Sequence, residues 1–545
     1  MQRIYDGDFD FIKPPINPTL KATAGDGKVY LLWDDASERS RDPIYGKDFG
    51  MYKIYRSTDP FFNSIKTITD AFGNALLWEP IAQFDVIDGL VGPHPIPLLD
   101  LGVSYDMGND SGLRHSFIDN NVDNGRTYYY AVVAVDKGYD IDFFDRGISE
   151  KESLEPISPT ESRKRIEVDI LGNVISKERN VAVVVPREPA AGHEPPIFES
   201  DMQHIDGDAT GIVTAMIVDP DNIKDRSYEI FFTDDSTLEH LTTEFTILDQ
   251  ATGEILLTGS SDLFGSSELE KQVVDGLKFS FDNDEVTEIK SVEWTGRSNL
   301  NVDINDFPQL RVPIDFEIRF FDEIADTSYA QFANFRIPVN FQVWNITDNV
   351  KMEFQFTESG SGQENMISPG DVLTLIAKRQ GFNISTTWRL EFSITTGLDL
   401  ILPEGGDILL VTTYKPFSSE DVYEFSTVGW NAANEQDENL LDNVFVVPDP
   451  YVGVNSLERK RSSALSGRGE RRVDFVNLPR QCTIRIYTVS GKFVEVIDHN
   501  ASQDNGREPW DLTSTDGLEV AYGVYFFHID APGIGQKVGR FAIIK

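Results

Sequence analysis

The chain predicts an all-β protein of tandem β-sandwiches joined by extended linkers, and three observations carry that prediction. Aromatic and β-branched residues come in short runs bounded by Gly, Pro, Asn and Asp, the pattern of strands separated by turns. Apolar residues at helical spacing are nearly absent, so no layer of helices is available to cover a sheet. At 545 residues the chain is long enough for three or four domains, each burying its own core.

Residues 1–158 form the first expected module. Pro18 through Trp33 reads as strand, turn and strand, with the turn at Gly25-Asp26-Gly27. Tyr52–Arg56 alternates as a third strand, and Asn124-Gly125 turns the chain into Thr127–Asp136, apolar on both faces. In this order the three blocks resemble a fibronectin type III domain. The resemblance implies that Trp33 fills the core and that Tyr128 or Tyr130 ties down a corner. The stretch 57–117 is far longer than such domains carry and includes the proline-rich Gly92–Pro97. Loops of that length are often functional, so Trp78 and Tyr105 within it are candidate contacts for a carbohydrate or protein ligand, although packing of the loop itself is the more usual role of such aromatics.

Residues 159–196 read as an extended linker in which Arg163–Val168 and Val181–Val185 are short strands able to pair with each other. Pro186, Pro189, Pro195 and Pro196 stiffen its second half, which suits a spacer. Residues 197–430 form a central β-sandwich region, with strands at Tyr228–Thr233, Phe316–Phe321 and Asp407–Thr412. It is too long for one small sandwich, and Val339–Asn345 starts a second if a boundary falls near residue 310.

Residues 443–545 complete the chain as a last sandwich. Thr483–Val489 alternates at period two, Ser490-Gly491 turns, and Phe493–Ile497 returns. Asp516-Gly517 marks a second tight turn, with further strands at Gly523–Phe527 and Phe541–Ile544. Cys482, the one cysteine, stands in an alternating strand and reads as a small buried hydrophobe. The arrangement from Val444–Tyr451 through Val538–Lys545 resembles the C-terminal sorting domain of type IX secretion cargo and the Ig-like domain of flagellar hook-capping proteins. The hook-capping pattern carries Gly after Trp-Asp, whereas Trp510-Asp511 is followed here by Leu512. The resemblance implies export to the outer surface of a Gram-negative bacterium, with residues 443–545 meeting secretion or anchoring machinery.

Ninety acidic against forty-eight basic side chains give a formal charge of −42. Such an excess repels phosphate backbones and anionic lipid, which excludes nucleic-acid binding as an expected role. No run of eighteen apolar residues occurs, so no transmembrane helix is expected. The opening Met1–Asp8 has no apolar signal core, and an exported chain is then expected to be the C-terminal part of a longer precursor. The seven histidines, His94, His115, His193, His204, His240, His499 and His528, show no i, i+4 zinc spacing. Neither a nucleophile elbow nor a P-loop is present. Hence no catalytic residue and no organic cofactor are assigned.

Calcium is the one metal with a sequence argument, because hard cations take several oxygens from flexible acidic turns. Asp136, Asp140, Asp142 and Asp145 are the densest candidate set, with Asp219/Asp221 and Asp282/Asp284/Glu285 sparser ones. A basic cluster, Arg459-Lys460-Arg461 with Arg468, Arg471 and Arg472, reads as a solvated loop between two strands, with a docking patch for another copy or for export or anchoring machinery as the alternative.

The expectation is a non-enzymatic, secreted or surface-exposed structural or adhesive protein. Its partners would be secretion machinery, a second copy, or a surface protein or carbohydrate. Two alternatives are the accessory and sorting half of a larger secreted hydrolase, and a subunit of an extracellular filament or surface layer.

Overall fold

The structure, a computed structural model, describes residues 12–69, 75–98, 103–169, 173–257, 273–305, 310–329, 336–359, 364–380, 383–432, 437–459 and 470–544. Met1–Asp8, Lys460, Arg461 and Arg468 lie outside these. Strand follows strand throughout, and the helical turns described, such as Ala36–Arg39 and Glu438–Asn443, are short 3-10 pieces. Among the described residues no helix is long and apolar enough to cross a membrane. The protein is all-β.

The first sandwich pairs a three-stranded sheet, Leu20–Gly25, Lys28–Trp33 and Ser116–Asp119, with a four-stranded one. The latter runs in the order Val181–Val184, Tyr128–Asp136, Phe49–Ser57, Ala82–Asp85. Trp33 is fully buried between the sheets, edge-on to Tyr52 and stacked near Phe84. The Tyr128 hydroxyl accepts a 2.9 Å hydrogen bond from the Asp123 amide, tying the strand to the turn that precedes it. Tyr130 donates instead to Asp119, at 2.7 Å.

All nine residues of Tyr128–Asp136 are buried, which a half-exposed sheet would not permit. The outer face of the four-stranded sheet carries a second core. Met51, Tyr55, Tyr129, Ala131 and Val133 pack there against Phe62, Leu77, Leu90, Tyr105 and Met107 from the long 57–117 stretch, and against Tyr139, Phe143 and Ile166. Tyr105 is therefore core, and Trp78 packs on the same cluster beneath the Lys164 ammonium, 3.9 Å from the ring. Of the two readings of these positions, packing within the loop holds and ligand contact does not: the stretch covers an apolar sheet face.

Val181–Val184 does not pair with 163–168, as expected, but closes the four-stranded sheet against Tyr128–Ala131. Ile166–Val168 pairs with Val174–Lys177. The stretch read as linker from residue 159 thus completes the first sandwich, because a short apolar strand finds the longest open apolar edge rather than its nearest neighbour.

The central region is nested rather than consecutive. One sheet runs Ile197–Asp206, Val422–Val428, Arg226–Asp234, Thr242–Asp249, Ile255–Leu257, and faces Ile212–Ile217, Leu277–Asp282 and Val273–Val274. Its core holds Tyr228, Phe232, Phe245, Phe281, Phe417 and Phe425. Between Asp282 and Val422 lies a complete further sandwich. Ile289–Thr295, Ile408–Thr413, Phe316–Phe320, Phe341–Asn345 and Val350–Met352 form one sheet. Asn301–Asn305, Asn383–Ser393, Val372–Gln380 and Phe354–Thr357 form the other. The crossing therefore falls between Asp282 and Ile289 rather than near 310, and the chain returns after Thr413.

The last sandwich sets Phe445–Val447, Val473–Val476 and Arg507–Trp510 against five strands. These run Tyr451–Val452, Gly535–Ile544, Gly523–Ala531, Gln481–Thr488, Phe493–Asn500. Tyr451, Phe475, Trp510, Tyr525, Phe527 and Phe541 fill it, and Cys482 joins them, its thiol pushed up to about 12 by burial. Leu512 is buried with φ of +62°, the backbone region that favours glycine.

Candidate functional site

The densest concentration of buried charge joins the first and last sandwiches, around residues 186–194. Proline keeps this stretch extended and leaves its main-chain groups to seek partners outside it. The Pro186 carbonyl accepts from the Gly125 amide at 2.7 Å, and the Arg187 amide donates to the Gly25 carbonyl at 3.2 Å. Two turns of the first sandwich thereby hold its upstream end.

The next residues belong to the last sandwich. The Glu188 carbonyl accepts from the Gly506 amide at 2.8 Å, while Ala190 and Ala191 donate to the Gln503 and Leu478 carbonyls, both at 2.9 Å. A Cβ on Gly506 would overlap the Pro189 carbonyl, so only glycine admits this approach. Downstream, Glu194 and Asn431 exchange two main-chain hydrogen bonds at the end of the central region.

Side chains lock the same junction. Arg507 holds both Glu188 carboxylate oxygens, at 2.9 and 2.7 Å, in the two-pronged geometry suited to guanidinium and carboxylate. It also donates to Asp474 at 2.6 Å. Arg472 lies beside Asp474 and donates to the Gly125 carbonyl. Arg187 pairs with Asp504, and Arg126 reaches the Ser456 carbonyl at 3.1 and 2.9 Å. Asp474 is wholly buried, and burial pushes its carboxyl above the usual range despite Arg472 and Arg507. Burial opposes ionisation of Glu188 too, but there the Arg507 hydrogen bonds and charge prevail and hold it below the usual range.

Of the basic cluster, Arg459, Arg471 and Arg472 are among the described residues. Arg472 is 9% exposed and engaged inside the molecule, and Arg459 pairs with Glu470 at 3.1 Å; Arg471 is half-buried. Arg459 and Arg472 were legible as parts of a charge run, but their acidic partners lie in this same chain.

The calcium candidates do not converge. Asp136 is buried and accepts from Gly138, from the Thr160 amide and from the Thr160 hydroxyl. Asp140 caps the Ile141 amide, Asp142 faces Arg146 at 3.5 Å, and Asp145 points to solvent. Asp219 is taken by Lys21 and Asn222. Among the described residues no group of three or more His, Cys, Asp or Glu is arranged to hold a metal ion. Several histidines are engaged internally: His204 bonds Asp421 and stacks on Tyr423, His499 meets Glu508, and His115 meets Glu38.

No protein-family model matches the chain, and no curated protein matches it. Solved structures that align with it include PorZ, a bacterial surface component of the type IX secretion system of Porphyromonas gingivalis. That alignment has 11% identity and a TM-score of 0.15, covering 97% of this chain and 52% of that one. Dimeric latent PorU from the same organism aligns at 12% identity and a TM-score of 0.13, covering 80% and 40%. The adhesin domain of Epf from Streptococcus pyogenes aligns at 11% and 0.14, covering 64% and 98%. The chain spans about half the length of PorZ and less of PorU. Similarity at this level assigns neither family nor function.

Proposed function

We propose that the chain is a non-enzymatic structural protein of the outer surface of a Gram-negative bacterium. Its last sandwich, residues 443–545, would serve as the module that engages a type IX-like export and anchoring route. The carrying observation is the junction at 186–194, where main-chain hydrogen bonds and buried arginine–carboxylate pairs tie three parts of the chain into one body. Buried ion pairs contribute little net stability but are strongly destabilising to break one-sidedly, so they favour a unique relative placement of the modules. Defined placement is what a scaffold or spacer requires.

Two further features support the reading. The first sandwich has a buried Trp33 and a Tyr128 hydroxyl tied to the preceding turn, as the fibronectin type III resemblance implies. In the last sandwich Leu512, at the position where the hook-capping pattern places Gly, has a φ of +62°, backbone that favours glycine.

Fractionation of producing cells tests the proposal. The intact protein is expected on the outer surface, and a variant lacking 443–545 is expected to remain in the periplasm. Surface display of the shortened chain at undiminished level would overturn it.

A further inference from the structure

Residues 187–191 sit on the last sandwich as a peptide sits on a receptor. Three main-chain hydrogen bonds, to Gly506, Gln503 and Leu478, fix an extended backbone. Two oppositely charged pairs then read adjacent side chains: Asp504 takes Arg187, and Arg507 clamps Glu188. The glycine at 506 gives the backbone of Pro189 room to approach. Backbone bonds supplying affinity and side-chain pairs supplying selectivity is how strand-type peptide recognition works. Past Ala191 the chain turns away, with the His193 amide donating to the Ala190 carbonyl. A cleft of about 500 Å³ opens there, lined by Ala191, Gly192, Leu440, Val444, Phe445 and Asn477. The groove is thus open at its downstream end.

We propose that this groove is a peptide-recognition site selective for Arg-Glu-Pro-Ala-Ala, filled in cis by residues 187–191, and that its external ligand is the same segment of a second copy. Every copy carries the segment between two folded units, Val184 ending the first sandwich and Ile197 starting the central sheet. The segment can therefore leave one groove and enter another with its neighbours still folded, once the contacts of Arg472 to Gly125 and of Arg126 to Ser456 part with it. Segment and groove belong to one chain, and the central region between them is closed by the paired main-chain hydrogen bonds of Glu194 and Asn431, so the cis state is favoured over exchange. Exchange between copies is accordingly suppressed until the cis contact is weakened.

The test uses the full chain and a fluorescent peptide spanning residues 184–194. A chain carrying Arg187→Ala and Glu188→Ala has a weakened cis ligand and should bind the peptide at least tenfold tighter than the unaltered chain. A peptide with Gln in place of Glu188 should lose at least tenfold of that affinity. Equal binding to both chains, with amide-exchange protection of Phe475 and Trp510 retained, would overturn the proposal, as would equal binding of the Gln peptide. Should the double variant misfold, the unaltered chain is challenged with millimolar peptide and followed by amide exchange. Faster exchange at Ala190 and Ala191 with Gly506 still protected supports the proposal, and no change at those alanines refutes it.

Discussion

Leu512 places two residue-scale effects in opposition. A leucine at φ +62° costs about 1–2 kcal/mol in backbone strain, yet its side chain is buried in the last core. Leu512→Ala removes the burial and keeps the strain, for a loss of about 2–5 kcal/mol. Leu512→Gly removes both, so it should be more stable than the alanine variant by about 1 kcal/mol, reversing the usual order of these residues. Amide exchange in Gln481–Thr488 measures the difference. Asp48 carries a second residue-scale prediction. Burial, then repulsion from Asp136 and Asp42, raises its carboxyl to about 7, and burial raises Asp136 to about 6. The folded state therefore holds protons that the unfolded chain releases near pH 4, so this contribution is complete below pH 4 and is lost as pH rises through about 7. The first sandwich should gain about 4 kcal/mol between pH 8 and pH 5 from this pair. Asp48→Asn should raise its stability at pH 8 and flatten the dependence; denaturant midpoints across that range decide it. Neither effect was legible beforehand, since Leu512 read only as a departure from a pattern and Asp48 as one acid among ninety.

At the scale of elements, legibility followed sequence distance. Lys28–Trp33, Tyr128–Asp136 and Gln481–Thr488 announce themselves, because alternation and bounding turns are local properties. Strand partnership is not local. Val181–Val184 was visible as a strand but not as the edge that closes the first sandwich, and Val422–Val428 gave no sign that it lies between Ile197–Asp206 and Arg226–Asp234. That placement makes Phe425, packed flat on Tyr228 at 4.7 Å, a keystone which, with Phe417 and Tyr423, completes a core otherwise drawn from Val213 to Phe281. Phe425→Ala should cost about 3–5 kcal/mol. Amide exchange should accelerate in Arg226–Asp234 while Phe316–Phe320, in the nested sandwich, keeps its protection.

For the whole molecule, the sequence disclosed an acidic, multi-sandwich chain but concealed how its parts are fastened. Arg507 and Glu188 meet across 319 positions and Arg472 and Gly125 across 347, and nothing in composition or periodicity pairs them. The prolines of 186–196 marked an extended stretch, and extended backbone without a strand partner of its own was the one available hint that other modules would bind it. The nesting of one sandwich inside another also imposes a timetable. Roughly 140 residues separate Asp282 from Val422, and at about 5–20 residues per second the ribosome takes roughly 7–28 s to make them. Throughout that interval the outer sheet lacks its second strand, and the facing edges of Ile197–Asp206 and Arg226–Asp234 have yet to receive it. The inner sandwich, whose strands are contiguous in sequence, can close first. Birth order and spatial order are therefore inverted in the centre of this protein, and any helper that shields open edges has its work there.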